Sequence, residues 1–342
     1  MSNQIATWAA GIDAGRSAVK AIAYAMSDRD GSDPSHLVFP NFCISMPEVS
    51  DPKTKNAIAP DTVTIGDSTY LVGSSAETLG DPSSVPVGMD DDWFHSPQHA
   101  AMIVAALNKF EAMNPLFTPF TVMLTVGLPV SLAISPINAK RYVDTLSAYL
   151  AKAGMPRVAK VTQSQARGPL YDFSLDAGGW PSNQPIIDGN WAVIEVGHYS
   201  TDCIVIRGGL TLDKEHVSLP GMRTATSHIS EELRKQSITA TVQQLNSVIE
   251  RGSYKLRGVT MDMETQRDGA VRKLAAELTV GLTPLLRPYL DNLDGVILAG
   301  GGAEILKQYL APSLPPITVP AQPRFSVARG FAKHSAFLAR EA

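Results

Sequence analysis

The residues best suited to chemistry lie between Trp191 and Asp202. An apolar run, Trp191-Ala-Val-Ile194, ends at Glu195. The chain then turns through Gly197, presents Ser200, Thr201 and Asp202, and enters a second apolar run, Cys203-Ile-Val-Ile206. Strand, glycine turn, strand predicts a hairpin. A turn rich in hydroxyls and backbone N–H groups suits a phosphate, and an acid at the strand end suits a metal ion held through water. Hairpins with such turns also occur without a ligand, so this stretch alone leaves both readings open.

Two further stretches bear on that choice. Near the N-terminus, Trp8–Ile12 leads into Asp13-Ala-Gly15-Arg-Ser17 and then Ala18-Val-Lys20-Ala-Ile-Ala-Tyr24. The plan repeats: apolar strand, acid, glycine two residues on, hydroxyl, apolar strand. Near the C-terminus, Gly295–Ala299 reads as a short buried strand. It runs through Gly300-Gly301-Gly302 into Ala303-Glu-Ile-Leu306, where a helix starts. Glycines between strand and helix let the backbone approach a ligand closely.

These motifs need elements to hold them, and 342 residues suffice for two domains of ordinary size. The formal net charge of −4 and the absence of a dense basic run argue against direct nucleic-acid binding. Cys43 and Cys203 both sit in apolar stretches and read as small buried hydrophobes, with no metal-type Cys/His spacing. No signal peptide or membrane-length apolar run is evident, so a soluble cytoplasmic protein is expected.

Along the chain, hairpins are expected over 5–26 and 62–73, a turn over 27–36 and an extended run over 37–46 with Pro40 marking an edge. Loops are expected over 47–61, 80–96 and 176–190. Helices are expected over 97–112, where Ser96 caps and Pro97 starts, and over 136–153, closed by Gly154. Strands are expected over 120–126 and 158–162. After Gly208-Gly209 the chain is expected to turn helical, over 221–236 and 239–251. A break at 252–258 precedes a long helix over 261–289, interrupted near Pro284 and Pro288. A helix to about Leu310, a Pro-rich link (312–323) and a strand-to-helix stretch from Phe325 complete the reading.

The motifs resemble those of a known group. Asp13-x-Gly15-x-Ser17-x-x-Lys20 is similar to the first phosphate motif of the actin, sugar-kinase and heat-shock chaperone ATPase fold. Glu195-x-Gly197-x-x-Ser200-Thr201-Asp202 is similar to the second, and Leu298-Ala-Gly300-Gly-Gly-Ala303 to the adenosine motif. Val126–Val130, Tyr70-Leu-Val-Gly73-x-x-Ala76, Gln165-Ala-Arg-Gly168-Pro-Leu-Tyr171-Asp and Ser326-Val-Ala-Arg329-Gly330-Phe-Ala-Lys333 resemble the ParM/StbA family of plasmid-segregation actins. The resemblance implies an α/β, two-domain actin-like fold, with two related mixed-sheet domains flanking a nucleotide cleft. The first domain would span 1–165 with 325–342 returning to it, and the second 166–324.

The resemblance also implies roles. Asp13 and Glu195 would flank Mg–ATP and hold Mg²⁺ through water. Glu195 stands where the family usually has Asp, and one methylene moves its carboxylate by about 1.5 Å. Gly15, Ser17, Gly197, Ser200 and Thr201 would line the phosphates. Arg16 either reaches them or is solvated, and Lys20 either approaches the β-phosphate or is solvated. Gln165 would orient the attacking water, with Gln163 as its fallback, and Asp13, Glu195 and Gln165 form the catalytic set. Gly300, Gly301 and Gly302 would pass beneath adenosine, with base and ribose contacts from 243–250 by analogy alone.

The implied function is an ATPase that self-assembles into nucleotide-dependent filaments for plasmid DNA segregation. It would meet DNA only through an adaptor protein bound to centromere-like DNA. Two other readings compete. One is a monomeric small-molecule kinase of the same fold, with Asp202 a candidate base. The other is a low-turnover ATP-sensing scaffold in which Glu195 has weakened hydrolysis.

Overall fold

The computed structural model describes residues 7–27, 34–80, 91–155, 158–256 and 258–341. Two compact units are present: Met1–Ile187 with Phe325–Ala342, and Asp188–Arg324. The division falls after Ile187, and residues 166–187 group with the first unit.

Unit 1 opens with the hairpin β1 (Trp8–Ala14) and β2 (Ala18–Ala25), followed by β3 (Ser35–Pro40) and β4 (Cys43–Ser45). Next come α1 (Pro52–Ile58), β5 (Thr62–Ile65), β6 (Ser68–Val72), α2 (Gly73–Leu79), α3 (Pro97–Met113) and β7 (Val122–Leu128). Then follow α4 (Val130–Ala133), α5 (Pro136–Lys152), β8 (Ala159–Ser164), α6 (Gly168–Ser174) and, at the boundary, α7 (Gln184–Asp188). Its main sheet has the order β3-β2-β1-β7-β8. The β3–β2 and β2–β1 pairs are antiparallel; β1–β7 and β7–β8 are parallel. A smaller sheet has the order β4-β6-β5.

Unit 2 repeats the plan. Its elements are β9 (Asn190–Val196), β10 (Ser200–Arg207), β11 (Leu210–Pro220), α8 (Arg223–Lys235), α9 (Val242–Arg251), β12 (Ser253–Leu256), β13 (Val259–Asp262), α10 (Glu264–Leu286), β14 (Gly295–Ala299), α11 (Ala303–Leu310) and β15 (Ile317–Thr318). The sheet order is β11-β10-β9-β14-β15, with strand directions matching unit 1 position for position. The chain then re-enters unit 1 as α12 (Ser326–Glu341).

Local chemistry explains these elements. Every residue of β1 is buried, as a central strand covered on both faces requires. α3 is buried from His99 through Leu107, and its alanines let it lie close within the core of unit 1. Ser96 Oγ accepts the His99 N–H at 3.1 Å and caps that helix. Thr241 and Gln244 form a reciprocal capping box at α9.

Several expectations are corrected. The stretch 47–61 is not all loop: Asp51 Oδ2 accepts the Thr54 N–H at 2.8 Å, and Pro52 at the first position starts α1. The chain after Gly208-Gly209 is not helical but forms the eleven-residue β11. Both glycines have positive φ (53° and 75°), the conformation of a two-residue hairpin turn joining Arg207 to Leu210. The break at 252–258 holds β12, which pairs with β13 as a second hairpin. No strand leads directly into α12; the residues just before it, Pro323–Phe325, form a short 3-10 turn. α7 interrupts the loop expected over 176–190. Of the turn expected over 27–36, residues 28–33 lie outside the described residues, as do 81–90 of the irregular stretch. Among the described residues no helix is long and apolar enough to cross a membrane.

Candidate functional site

In unit 1 the chemistry gathers where β1 ends. Asp13 is 4% exposed and sits directly across from Lys20 in the β1–β2 register. Lys20 Nζ donates to Asp13 Oδ2 at 2.9 Å, so this lysine is an ion-pair partner and not a solvated side chain. Gln165 Nε2 donates to Asp13 Oδ1, also at 2.9 Å. Three sequence-predicted residues thus meet on one carboxylate. Gly15, Arg16 and Ser17 are half-buried in the turn above it. Gln163, the fallback, lies on β8 with Gly127 as its register partner.

Unit 2 builds the matching corner. Glu195, 8% exposed, lies opposite Asp202, 3% exposed, in the β9–β10 register. The spacing equals that of Asp13 and Lys20, with an acid in place of the lysine. The turn closes by Gly197 N–H donating to the Ser200 carbonyl at 2.9 Å. Ser200 Oγ donates to Asp202 Oδ2 at 3.3 Å. Thr201 is fully buried and its hydroxyl donates to the Pro220 carbonyl at 2.9 Å. Strand alternation puts it on the face opposite Ser200 and Asp202, so its hydroxyl secures β11.

The three C-terminal glycines differ in what requires them. Gly300 has φ +90°, and a Cβ there would lie 2.3 Å from the Val196 carbonyl and 2.7 Å from Glu195 Oε1. Its backbone therefore carries the Glu195 carboxylate against the β14–α11 turn. Gly302 backs onto Val196 and Met222. Around Gly301 a Cβ would meet nothing within 4 Å, so the chain's own packing does not require a glycine there.

The comparisons with known proteins divide along the same lines. A model described as "Actin like proteins N terminal domain" matches residues 11–163, and one described as "Archaeal actin homologue MreB-like, C-terminal" matches residues 193–312. The chain has an actin-like fold.

Solved structures agree on the actin-like fold. A 15-stranded ParM filament from Clostridium botulinum superposes with TM-score 0.72 at 17% identity, over 98% of this chain and 100% of that one. The archaeal actin homologue Ta0583 in complex with ADP gives 0.71 at 17%, over 95% and 98%. Bacillus thuringiensis ParM with AMPPNP gives 0.64 at 12%, over 98% and 99%. At such identities the likeness speaks for the fold. No curated protein matches the sequence.

With the actin-like fold in place, two groups that the sequence reading did not place acquire a position. Asn41, fully buried just after β3, donates its side-chain Nδ2 to the Gly15 carbonyl at 2.9 Å, and its N–H to the Ser17 carbonyl at 3.1 Å. Nothing in the local sequence signals it, because strand pairing alone brings it to the turn. The second group joins α12 to α6, the helix that begins just after Gln165. Asp172 on α6 is buried and accepts from Arg329 Nε at 2.7 Å and Ser326 Oγ at 2.8 Å, with Lys333 Nζ at 3.1 Å. Asp172, Arg329 and Lys333 all stand in motifs of the sequence, but nothing in the sequence pairs the two motifs.

These side chains fit a magnesium nucleotide. Asp13 already spends both oxygens on Lys20 and Gln165, which suits a hydrated ion better than direct ligation. The open space at Gly301 leaves room for a flat group over the backbone.

Proposed function

We propose that this actin-like chain is an ATPase that binds Mg–ATP and assembles into filaments in response. The observation that carries the proposal is the repeated corner. An acid, a glycine turn and a cross-strand charged residue recur at the same strand junction of two sheets with the same order. In this reading Gly15, Arg16 and Ser17 in unit 1, and Gly197 and Ser200 in unit 2, address the phosphates, with Thr201 acting through the turn's shape. Asp13 and Glu195 orient the water shell of Mg²⁺, which when bound neutralises charge developing on the transferred phosphoryl group. Gly300–Gly302 pass beneath adenosine.

Gln165 donates its amide N–H to Asp13, which turns Oε1 away to accept from the attacking water. A neutral amide cannot take the proton, so its contribution is positional. ATP favours the assembling conformation through contacts that ADP lacks, a population shift. The work of the filament would be separation of plasmid copies in the cytoplasm, through an adaptor bound to centromere-like DNA. The kinase reading is weakened by Asp202: it is nearly inaccessible and accepts from Ser200, a poor position for a base serving a substrate hydroxyl.

The test is right-angle light scattering of the purified chain over a concentration series, with ATP, ADP or AMPPNP and Mg²⁺, alongside phosphate release. A concentration threshold with ATP that persists with AMPPNP is expected. Gln165→Leu should keep the threshold and slow phosphate release by about a hundredfold. Flat scattering at all concentrations would defeat the filament reading. Flat scattering and no release despite ATP binding would favour the sensing scaffold, with Glu195 as its cause.

A further inference from the structure

The two corners share a device that no motif records. In unit 2 the residues just after β11 hold the turn by its carbonyls. Met222 N–H donates to Gly197 O at 3.0 Å, Arg223 N–H to His198 O at 2.7 Å and Gly221 N–H to Tyr199 O at 3.1 Å. A trans peptide points its N–H opposite to its C=O. Drawing the Gly197 and His198 carbonyls down onto 222–223 therefore aims the His198 and Tyr199 N–H groups the other way. Backbone does this work, so no side-chain identity is exposed in the sequence.

Unit 1 meets the same requirement with one side chain. β3 occupies the sheet position that β11 occupies in unit 2, and Asn41 is the first residue after β3. Its Nδ2 takes the Gly15 carbonyl and its N–H takes the Ser17 carbonyl. The Gly15–Arg16 peptide is thereby fixed with the Arg16 N–H directed away from Asn41. The next residue, Phe42, accepts the Gly73 N–H at 2.9 Å, which ties the small β4-β6-β5 sheet to the same point.

We infer that Asn41 is a positioning residue for phosphate recognition. It locks the Gly15–Ser17 turn so that the Arg16 N–H faces the phosphates, and it links that turn to the β4-β6-β5 sheet. The inference rests on the proposed nucleotide function. Asn41 touches no phosphate itself. Its side chain is required as a donor, which Asp, nearly the same shape, cannot supply while ionised.

The experiment is equilibrium binding of ATP and of adenosine to the wild type, Asn41→Asp and Asn41→Ala. Circular dichroism and thermal unfolding of each variant accompany it. Both variants should bind ATP at least about tenfold more weakly, the loss expected for one misdirected hydrogen bond to a charged group, and bind adenosine as the wild type does. For Asn41→Asp the ATP deficit should shrink as pH falls and the carboxyl regains a proton to donate. Equal ATP affinity in wild type and variants would overturn the inference and leave the nucleotide reading standing. Equal loss for ATP and adenosine would also overturn it, marking Asn41 as merely structural. No ATP binding by the wild type would instead sink the nucleotide function on which the inference rests.

If neither variant folds, hydrogen exchange on the wild type decides. ATP should slow exchange in peptides covering both 15–18 and 42–46. Protection confined to other peptides would overturn the inference.

Discussion

Two buried imidazoles show how single residues set the conditions under which this chain can work. His99 is fully enclosed among Trp93, Phe94, His95 and Tyr142, and its Nε2 pairs with the Tyr142 hydroxyl at 2.8 Å. Burial pushes its pKa down to about 3. His334, stacked on Tyr171, is pushed down to about 4, by burial first and then by Arg167. Both stay neutral in the folded chain, whereas in the unfolded chain they take up protons below about pH 6.5. Stability is therefore intact above that value and falls as pH drops toward 4, by about 1.4 kcal/mol per pH unit for each histidine. Denaturant titrations at pH 7 and pH 5 should show the fall, and His99→Gln should flatten it by roughly half. A slope unchanged by that variant would assign the acid sensitivity elsewhere. Neither histidine announced itself in the sequence, because burial by other segments makes them acid-sensitive.

At the scale of elements, α6 and α12 decide where Gln165 stands. Gly330 on α12 meets Gly168 on α6 so closely that a Cβ at Gly330 would lie well inside the Gly168 carbonyl, and a Cβ at Gly168 would come within 2.6 Å of Val327 Cα. The buried Asp172, paired with the half-buried Arg329 and Lys333, locks the same crossing. Gly330→Ala must push the helices apart, at about 3 kcal/mol, and carry Gln165 off Asp13. Thermal unfolding should register the first effect and slower phosphate release the second. An unchanged melting temperature would show that the crossing relaxes freely.

The two acid–glycine hairpins and the β14–α11 turn are legible in the sequence because apolar runs, glycines and hydroxyls fall within a dozen residues of each other. β11 is not, since Gly208-Gly209 fits both a helix break and a hairpin, and only the positive φ of both glycines separates the two. The α6–α12 crossing shows as motif residues, but nothing local says that stretches more than 150 residues apart touch.

The molecule as a whole is two versions of one plan, and they differ at the corner: Lys20 faces Asp13, while Asp202 faces Glu195. The two cysteines are divided between the units in the same way. Cys43 lies in unit 1, and burial pushes its thiol up to about 12; Cys203 lies in unit 2, fully buried, its thiol also raised by burial. Thiol reagents attack thiolates, so each cysteine reacts only when the strand covering it opens. The native chain thus carries one silent reporter in each half, with no engineering. Mass-resolved alkylation yields two opening rates from one sample. A nucleotide gripped by both units should slow both rates, by up to about a hundredfold at a hundred times its Kd. A nucleotide held by one unit should slow one rate and leave the other alone.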